Sequence, residues 1–388
     1  MQKNHTVVIV GGGPVGAILA LLLAKQGVEV TVLEARKQGA AYAESRALAL
    51  SYGSKRILDK LGAWDKLALQ ATAINTIHVS QKGSIGRAKL EASDYKQEAL
   101  GYVLSYGHLS AVLDEALSNL SKVKFIFEAT ANEIKHTALQ ANVSYTHNVE
   151  LHYLESPLVV LADGGKSLDE LAGLTRETKE YGHDALITKV RAELPHNNVA
   201  YERFTANGPI ALLPNGERDF SLVWTGKKDV IEPLLTLSDA EFLSQFHQQF
   251  GDRVGRFLSV EKRMAFPLKM SQLQTAVAEH LIVIGNAAQT MHPVAGQGFN
   301  VGLRDAESLA HYIATSDEAT LGSRQMIEAY QASRQSDTKG GLLFTDFLVN
   351  IFSNNLLGVS GLRATGLGLL DVIKPIKQHL VSKMSFGK

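Results

Sequence analysis

Three glycines near the amino terminus have the spacing of a loop that binds a dinucleotide. Gly11, Gly13 and Gly16 form a G-x-G-x-x-G pattern directly after the apolar run Val7–Val10, which predicts a buried strand. In this pattern the first glycine permits a tight turn and the second lets a pyrophosphate approach the backbone. The third lets the following helix pack closely against the strand. The spacing therefore implies binding of an anionic cofactor at a helix start.

The residues after these glycines complete a strand–helix–strand unit. Ala17–Lys25 is apolar on nearly every side, as a covered helix should be, and Gly27 is suited to ending that helix. Val28–Leu33 predicts the second strand, and Glu34 stands at its end. A carboxylate there can accept hydrogen bonds from adenosine ribose hydroxyls and would repel a ribose 2′-phosphate. We therefore predict that this site holds FAD or NAD rather than NADP.

A second glycine-rich stretch follows the predicted strand Leu281–Ile284. Gly296, Gly298 and Gly302 lie in a loop that opens a helix predicted to run to about Ile313. The start of a helix offers N–H groups and the positive end of the helix dipole. Such a helix start could stabilise the negative charge of a reduced flavin. The alternative is an ordinary loop that leads into a helix.

Two further features could belong to a cofactor site. Arg46 is the one charged residue of Ser45–Ser51, and it is either a solvated arginine at a helix start or a cation that lies against cofactor phosphate or flavin. The buried strand predicted at Leu158–Ala162 ends at Asp163 and Gly164, where a turn could border a cofactor.

Composition excludes several classes of function. The chain has 388 residues, enough for two or three domains, and its 39 Lys+Arg balance 39 Asp+Glu, so no overall charge favours nucleic acid. The absence of cysteine excludes disulfides and cysteine-ligated metals and is consistent with a reducing compartment. The first strand begins too early to leave room for a signal peptide, and no apolar run is long enough to span a bilayer. We expect a cytoplasmic protein.

The middle of the chain is predicted to be an antiparallel domain inserted into the first. Phe220–Thr225 alternates like a half-buried strand, and Ser238 with Glu241 forms a capping-box pair before a helix. Val143–Leu154 is predicted as one strand. The predicted division is an FAD-binding domain from 1–75, 100–182 and 266–318, a substrate domain from 76–99 and 183–265, and a C-terminal helical region from 319–388.

The carboxyl-terminal tail has helix-spaced aromatic residues and a basic end. Phe344, Phe347 and Ile351 share a predicted helix face, and Lys374, Lys377, Lys383 and Lys388 follow. One interpretation is a packed helical cap, since amphipathic helices usually face a core. The other is peripheral contact with the inner face of a membrane, or with a partner protein.

Together these stretches resemble the aromatic hydroxylases that use FAD and molecular oxygen, and the resemblance covers most of the chain. In that family, both glycine-rich stretches, the arginine and the Asp-Gly pair contact FAD, and the Asp-Gly pair also relates to the nicotinamide donor. The matching positions are Gly11, Gly13, Gly16 and Glu34 in the first FAD motif, Arg46, the pair Asp163 and Gly164, and Gly285, Asn286, Gly296, Gly298 and Asn300 in the second FAD motif, with His292 and Pro293 near the flavin.

One departure narrows the resemblance. Most of the wider family has Gly-Asp where this chain has Gly285 and Asn286, and an asparagine can still hydrogen-bond ribityl hydroxyls. The asparagine form resembles the branch that acts in ubiquinone biosynthesis. Within that branch, Thr72–Ser80 and Tyr201–Pro214 look most like the hydroxylases of polyprenylated methoxyphenols.

The resemblance implies an α/β (α+β) fold with a Rossmann-like FAD-binding domain, an inserted antiparallel substrate domain and a C-terminal helical region. It also implies that NAD(P)H reduces the flavin, that O₂ adds to give a C4a-hydroperoxide, and that one oxygen passes to a phenol ring. No protein nucleophile or metal is required, and the G-x-S-x-G and H-E-x-x-H patterns are absent.

Three alternatives stay open at this point. The first is a sibling hydroxylase of the ubiquinone pathway that oxidises another ring position. The second is a flavin dehydrogenase without oxygen transfer. The third is a non-catalytic subunit that binds FAD or lipid in a biosynthetic assembly.

Overall fold

The computed structural model describes residues 6–84, 86–167, 176–273, 277–290, 297–335, 337 and 374–387. In chain order, the described strands are β1 (Thr6–Val10), β2 (Glu29–Glu34), β3 (Ala47–Ser51), β4 (Thr72–Ile74), β5 (Thr76–Gln81), β6 (Arg87–Glu91), β7 (Gly101–Ser105), β8 (Val123–Phe127), β9 (Thr130–His136), β10 (Ala141–His147), β11 (Glu150–Ser156), β12 (Val159–Leu161), β13 (Arg176–Ala192), β14 (Val199–Thr205), β15 (Gly208–Pro214), β16 (Asp219–Lys227), β17 (Phe257–Val260), β18 (Met264–Leu273), β19 (Val277–Ala278), β20 (Leu281–Val283) and β21 (Gln289–Thr290). The described α-helices are α1 (Pro14–Lys25), α2 (Tyr52–Lys60), α3 (Trp64–Ala68), α4 (Tyr106–Ser118), α5 (Lys228–Leu234), α6 (Asp239–Phe250), α7 (Gln297–Thr315), α8 (residues 324–335) and α9 (Lys374–Phe386).

A six-stranded sheet carries the first glycine motif. Its strand order is β19-β20-β12-β1-β2-β8, and every pair from β20 to β8 is parallel. β1 lies inside the sheet with Val7–Val10 buried, which confirms the predicted buried strand. Helices α1, α4 and α7 cover one face, and the small antiparallel sheet β11-β10-β9 packs against the other. This arrangement confirms the expected mixed α/β fold.

A second, nine-stranded sheet forms the middle of the molecule. Its order is β21-β18-β13-β16-β15-β14-β5-β6 with β17 beside β13, and its pairs are antiparallel except β14 with β5. One face packs against α5 and α6, where Phe242, Phe246 and Phe250 are fully buried. The capping box predicted from Ser238 and Glu241 is present at the start of α6.

The opposite face of this sheet meets the flavin-side part of the molecule. Ala200 of β14 forms a buried cluster with Ile74 of β4 and Val103 of β7, and Ala47 and Leu213 pack at its edge. Strands β3, β7 and β4 make a three-stranded sheet there. The face opposite α6 is therefore the one that points toward the glycine motifs.

The single strand predicted at Val143–Leu154 is wrong. The chain turns at Asn148 and Val149, whose φ angles are 51° and 68°, and β10 and β11 form a hairpin. A β-branched residue at positive φ is uncommon, so local sequence pattern gave no signal for this turn.

The predicted domain boundaries remain a prediction. Strand β13 runs without a break across residues 182 and 183, and β18 runs across residues 265 and 266. Both strands thus carry the nine-stranded sheet beyond the limits predicted for the substrate domain.

The described end of the tail packs on the protein. Val381 of α9 lies in a cluster with Leu90 and Leu100, and the backbone of Ser385 lies directly against Gly53 of α2. The aromatic stretch from Phe344 lies outside the described residues. Among the helices that are described, none is both long and apolar enough to cross a membrane.

Candidate functional site

The predicted site residues follow the carboxyl ends of four neighbouring segments. Gly11 follows β1, Glu34 ends β2, Asp163 follows β12 and Gly285 follows β20. Because these strands are parallel neighbours, their carboxyl ends meet at one edge of the six-stranded sheet. In open α/β sheets, ligands bind in the crevice at this edge.

Packing requires glycine at several positions of the first motif. Gly11 has a φ of 103°, and a Cβ there would lie 2.6 Å from backbone atoms of Ala162 and Asp163. A Cβ on Gly16 would overlap the carbonyl oxygen of Gly11. Gly12, which the motif leaves variable, has no room either because a Cβ would overlap the Phe125 ring. Close packing of β1, α1 and β12 thus accounts for these three glycines.

Gly13 differs from its neighbours because open space lies in front of it. It has an extended conformation with φ −63° and ψ 174° at the N-cap of α1, which any residue could adopt. The nearest atom to a Cβ there is the Tyr106 hydroxyl, at 3.8 Å. The space borders the amino end of α1, where N–H groups and the helix dipole favour an anion. This position could hold a pyrophosphate.

The Glu34 carboxylate is buried and already accepts several hydrogen bonds. Its Oε2 accepts from the Gly12 N–H at 2.8 Å, and its Oε1 accepts from the backbone N–H and the Nε of Arg36 at 2.8 and 2.9 Å. Arg36 also donates to the Tyr106 hydroxyl at 3.3 Å. Ribose hydroxyls would therefore have to share Glu34 with Arg36 or displace it. The sequence analysis missed Arg36, although its place two residues after Glu34 was a signal.

Arg46 lies near the same space but is half-exposed. Its Nε donates to Glu44 Oε1 at 2.7 Å, and its guanidinium carbon lies 4.7 Å from the centre of the Tyr106 ring. Tyr106 in turn faces Gly13. The structure thus brings Arg46 to the rim of the first motif, in contact with side chains rather than with solvent alone.

The Asp-Gly pair forms a tight turn beside Gly11. The Asp163 carboxylate accepts from the N–H groups of Gly165 and Ser167, both at 2.8 Å, and Gly164 has a φ of 78°. The backbone of Asp163 is one of the groups that exclude a side chain at Gly11. The pair therefore lies against the first motif.

The second motif packs onto the first through glycines. Gly285 has a φ of 63°, and a Cβ there would lie 3.3 Å from Val15 of α1. A Cβ on Gly302 of α7 would lie 3.0 Å from Val15 and 3.2 Å from Gly285. The amino ends of α1 and α7 therefore lie side by side. The Asn286 side chain is exposed.

The start of α7 is tied to the small sheet by Asn300. Its side-chain oxygen accepts from Ser51 N–H at 2.8 Å and Ser54 Oγ at 2.7 Å, and its Nδ2 donates to Ala49 at 2.9 Å. These bonds position the helix, so contacts to a flavin would fall to backbone groups such as those of Gly298. His292, Pro293 and Gly296 lie outside the described residues.

The sequence analysis missed a buried ionic network behind this motif. Asp305 accepts from Gly285 N–H at 3.2 Å and from Arg334 Nε at 2.8 Å. Asp337 accepts from Arg304 at 2.7 and 3.0 Å and from Arg334 at 2.6 Å. The network therefore links the turn at Gly285 to α7 and α8.

The two carboxylates of this network differ in pKa. Burial raises the pKa of Asp305, against the opposing effect of Arg334. Burial acts in the same direction on Asp337, but its ion pairs with Arg304 and Arg334 outweigh burial and lower its pKa. Asp337 therefore carries its negative charge between the two arginines, and all four side chains lie away from bulk water.

Comparison with known proteins identifies the family. A family model described as an FAD binding domain matches residues 4–340. The ubiquinone hydroxylase UbiL of Rhodospirillum rubrum is 33% identical over 401 aligned residues, covering 100% of this chain and 91% of the relative. The 3-demethoxyubiquinol 3-hydroxylase of Escherichia coli is 30% identical, covering 93% of each chain. This chain belongs to the FAD-dependent hydroxylases. It is a flavoprotein monooxygenase, as the resemblance implied.

Solved structures show the same fold. The p-nitrophenol 4-monooxygenase PnpA of Pseudomonas putida matches the hydroxylase with a TM-score of 0.78 at 20% identity, covering 99% of this chain and 98% of PnpA. The anhydrotetracycline hydroxylase OxyS of Streptomyces rimosus matches with a TM-score of 0.75 at 20% identity, covering 98% of this chain and 75% of OxyS. At such identity the likeness concerns the fold alone.

The ionic network predicts a large loss of stability when one partner is removed. Asp305→Asn should lower the free energy of unfolding of the hydroxylase by about 3 kcal/mol, because Arg334 loses a buried partner. Arg324→Gln is the control, since Arg324 is exposed and its ion pairs with Glu279 and Glu328 are 3.9 Å long. That change should amount to less than about 1 kcal/mol. Urea unfolding followed by circular dichroism measures both, and equal shifts would contradict the account.

Proposed function

We propose that this hydroxylase oxygenates the ring of a polyprenylated methoxyphenol in ubiquinone biosynthesis, with NAD(P)H as the reductant. The observation that carries the proposal is the end-to-end similarity to a ubiquinone hydroxylase, at 33% identity over 100% of this chain. The asparagine at position 286 and the stretch Tyr201–Pro214 support the same branch of the family. An apolar sheet face at Ala200 and Leu213 is suited to an aromatic lipid.

The residues present fit FAD. Gly13 leaves space at the amino end of α1 for the pyrophosphate, with Arg46 at the rim, and Glu34 is the buried acceptor nearest the ribose. The proposed contacts as a set are Gly11, Gly13, Gly16, Glu34 and Arg46 around the adenosine diphosphate part, and Asp163, Gly164, Gly285, Asn286, Gly296, Gly298 and Asn300, with His292 and Pro293, toward the flavin.

The chain and its cofactor divide the tasks of the reaction. When bound, FAD supplies the electron transfer from NAD(P)H and the activation of O₂. The protein has to bind the phenol ring, hold it in one orientation and keep water out. The amino end of α7 near Gly298 contributes a positive dipole end that would stabilise negative charge on a bound anionic ring.

A sibling activity is the second candidate. The relative from Escherichia coli is named 3-demethoxyubiquinol 3-hydroxylase, and its identity of 30% is close to that of the ubiquinone hydroxylase. The substrate would then carry its new hydroxyl at another ring position. Both candidates use the same cofactor and the same class of prenylated phenol.

The lipid substrate also bears on location. A polyprenyl chain partitions into the bilayer, so we place the hydroxylase at the inner face of the membrane in peripheral contact, within an assembly of ubiquinone-biosynthesis proteins. Lys377 and Lys383 of α9 are partly exposed and could face anionic headgroups, while Val381 packs inward. The dehydrogenase and the non-catalytic FAD or lipid-binding subunit remain the contrasting cases for the experiments below.

Two glycine variants separate cofactor contact from packing. Gly13→Ala should fold as the wild type does, because a Cβ there meets only Tyr106 at 3.8 Å. It should bind FAD on the order of ten- to hundredfold more weakly, since the new methyl group occupies the pyrophosphate space. Gly16→Ala should instead destabilise the fold by about 1–3 kcal/mol through overlap with Gly11. Flavin absorbance and thermal unfolding measure both, and a folded Gly13→Ala protein with full FAD would refute the assignment of Gly13.

The substrate is identified by what accumulates without the enzyme. A strain lacking this gene should accumulate a polyprenylated phenol one oxygen short of the next intermediate, and mass spectrometry gives its mass and its ring substituents. Restoring the wild-type gene should clear that compound, whereas a Gly13→Ala copy should clear it slowly. A normal ubiquinone profile in the deletion strain would rule out the proposed role. Accumulation of a phenol lacking a different hydroxyl would favour the sibling activity.

A further inference from the structure

Glu202 lies on the sheet face that points toward the flavin-side part of the molecule. It pairs with Ala211 of β15 and with Val79 of β5. Because side chains alternate along a strand, Glu202 shares a face with Ala200, two residues earlier. Ala200 packs against Val103 of β7, so Glu202 lies on the side of the nine-stranded sheet where the prenylated phenol is proposed to bind.

The neighbours of Glu202 in the chain face the other way. The Tyr201 ring lies 5.4 Å from the Phe250 ring of α6. Arg203 donates to the Gln249 carbonyl oxygen at 3.0 Å and to Ser80 Oγ at 3.3 Å. Glu202 is therefore separated from both the basic side chain beside it and the phenylalanine core.

The Glu202 carboxyl group is enclosed without a partner. Its Oε1 is buried and has no hydrogen-bond partner among the described residues, and the same holds for Oε1 of Gln81. Gln81 follows Val79 by two positions on β5 and so lies on the same face, diagonally across from Glu202. Both buried atoms accept hydrogen bonds, and leaving such atoms unsatisfied is unfavourable. The pair is suited to a ligand that brings a hydroxyl donor.

Burial also changes the acid–base behaviour of Glu202. It raises the pKa of the carboxyl group from 4.5 to about 7, and no charged side chain contributes to that shift. A free phenol has a pKa of about 10. The carboxylate therefore comes within about three pKa units of a phenol instead of more than five. General bases with a pKa near the working pH are the effective ones.

We propose that Glu202 accepts the proton of the substrate's phenolic hydroxyl. The inference rests on the proposed function, which supplies the phenol. The phenol O–H bond breaks, the proton passes to the Glu202 carboxylate, and a phenolate and a neutral carboxylic acid result. The ionised ring is richer in electrons and so a better acceptor of an electrophilic oxygen. Gln81 would hold the same phenol oxygen in place while its hydroxyl is still protonated.

Glu202→Gln tests the proposal, because the amide keeps the shape of the side chain but takes up no proton. The assay uses the FAD-loaded protein without reductant or oxygen, at about pH 8, with 2-methoxyphenol as the probe. Ionised phenols absorb at longer wavelength than neutral ones, so a difference spectrum reports the state of the bound ring. The wild type should bind the phenolate form, and the variant should bind the neutral phenol. Glu217→Gln, an exposed change in the turn after β15, is the matched control.

Turnover provides the second readout. With NAD(P)H and O₂, Glu202→Gln should lose on the order of a hundredfold in hydroxylation rate, as expected for loss of a general base. FAD affinity should stay as in the wild type. A variant that binds the phenolate as the wild type does would overturn the role of Glu202 whether or not the protein is a hydroxylase of this phenol. A wild-type protein that binds no phenol would overturn the proposed function together with it.

Discussion

The close approach of backbone at Gly11 is the constraint on which the site depends. Gly11 turns at a φ of 103° with the backbone of Asp163 so near that a Cβ would lie 2.6 Å away, and its carbonyl oxygen excludes a side chain at Gly16. These contacts bring the ends of β1 and β12 and the start of α1 together. A side chain at Gly11 would push them apart and close the space before Gly13. The edge of the sheet can serve a dinucleotide because the backbone there carries almost no side chains.

The second motif depends on a different kind of interaction. Its turn at Gly285 packs against Val15, and Asp305 binds the Gly285 N–H from behind while it pairs with Arg334. Buried charges are costly to leave unpaired, so the network holds together only in one arrangement. It thereby connects the flavin-side loop to α8. Glycine contacts set how closely the motifs approach, and the ionic network sets how the second one is oriented.

Local sequence pattern predicted the parts of the site that are local. The glycine spacing, the apolar β1 and the capping box at Ser238 each involve residues a few positions apart, and the structure has all three elements. The pattern could not show that the Asn300 side chain bonds to Ser51 and Ser54, about 250 residues earlier. It also gave no sign that Glu34 would be held by Arg36.

The features missed by sequence reasoning are long-range. Asp305 and Arg334 are 29 residues apart, and each by itself is typical of a solvated helix face. Glu202 stands in a strand whose alternation indicates which residues share a face but not what covers that face. Only the pairing of β14 with β5 and β15 shows that Glu202 points away from α6. Where chemistry depends on burial, sequence periodicity alone could not find it.

The origin of the oxygen in the product tests the central claim most directly. The FAD-loaded hydroxylase would be supplied with NAD(P)H, a prenylated methoxyphenol and isotopically labelled O₂ in ordinary water, and the product ring would be analysed by mass spectrometry. The account predicts one labelled atom in the ring, with NAD(P)H oxidised only in proportion to the phenol consumed. Oxygen that comes from water, or NAD(P)H oxidation that is indifferent to the phenol, would contradict a monooxygenase and favour a flavin dehydrogenase.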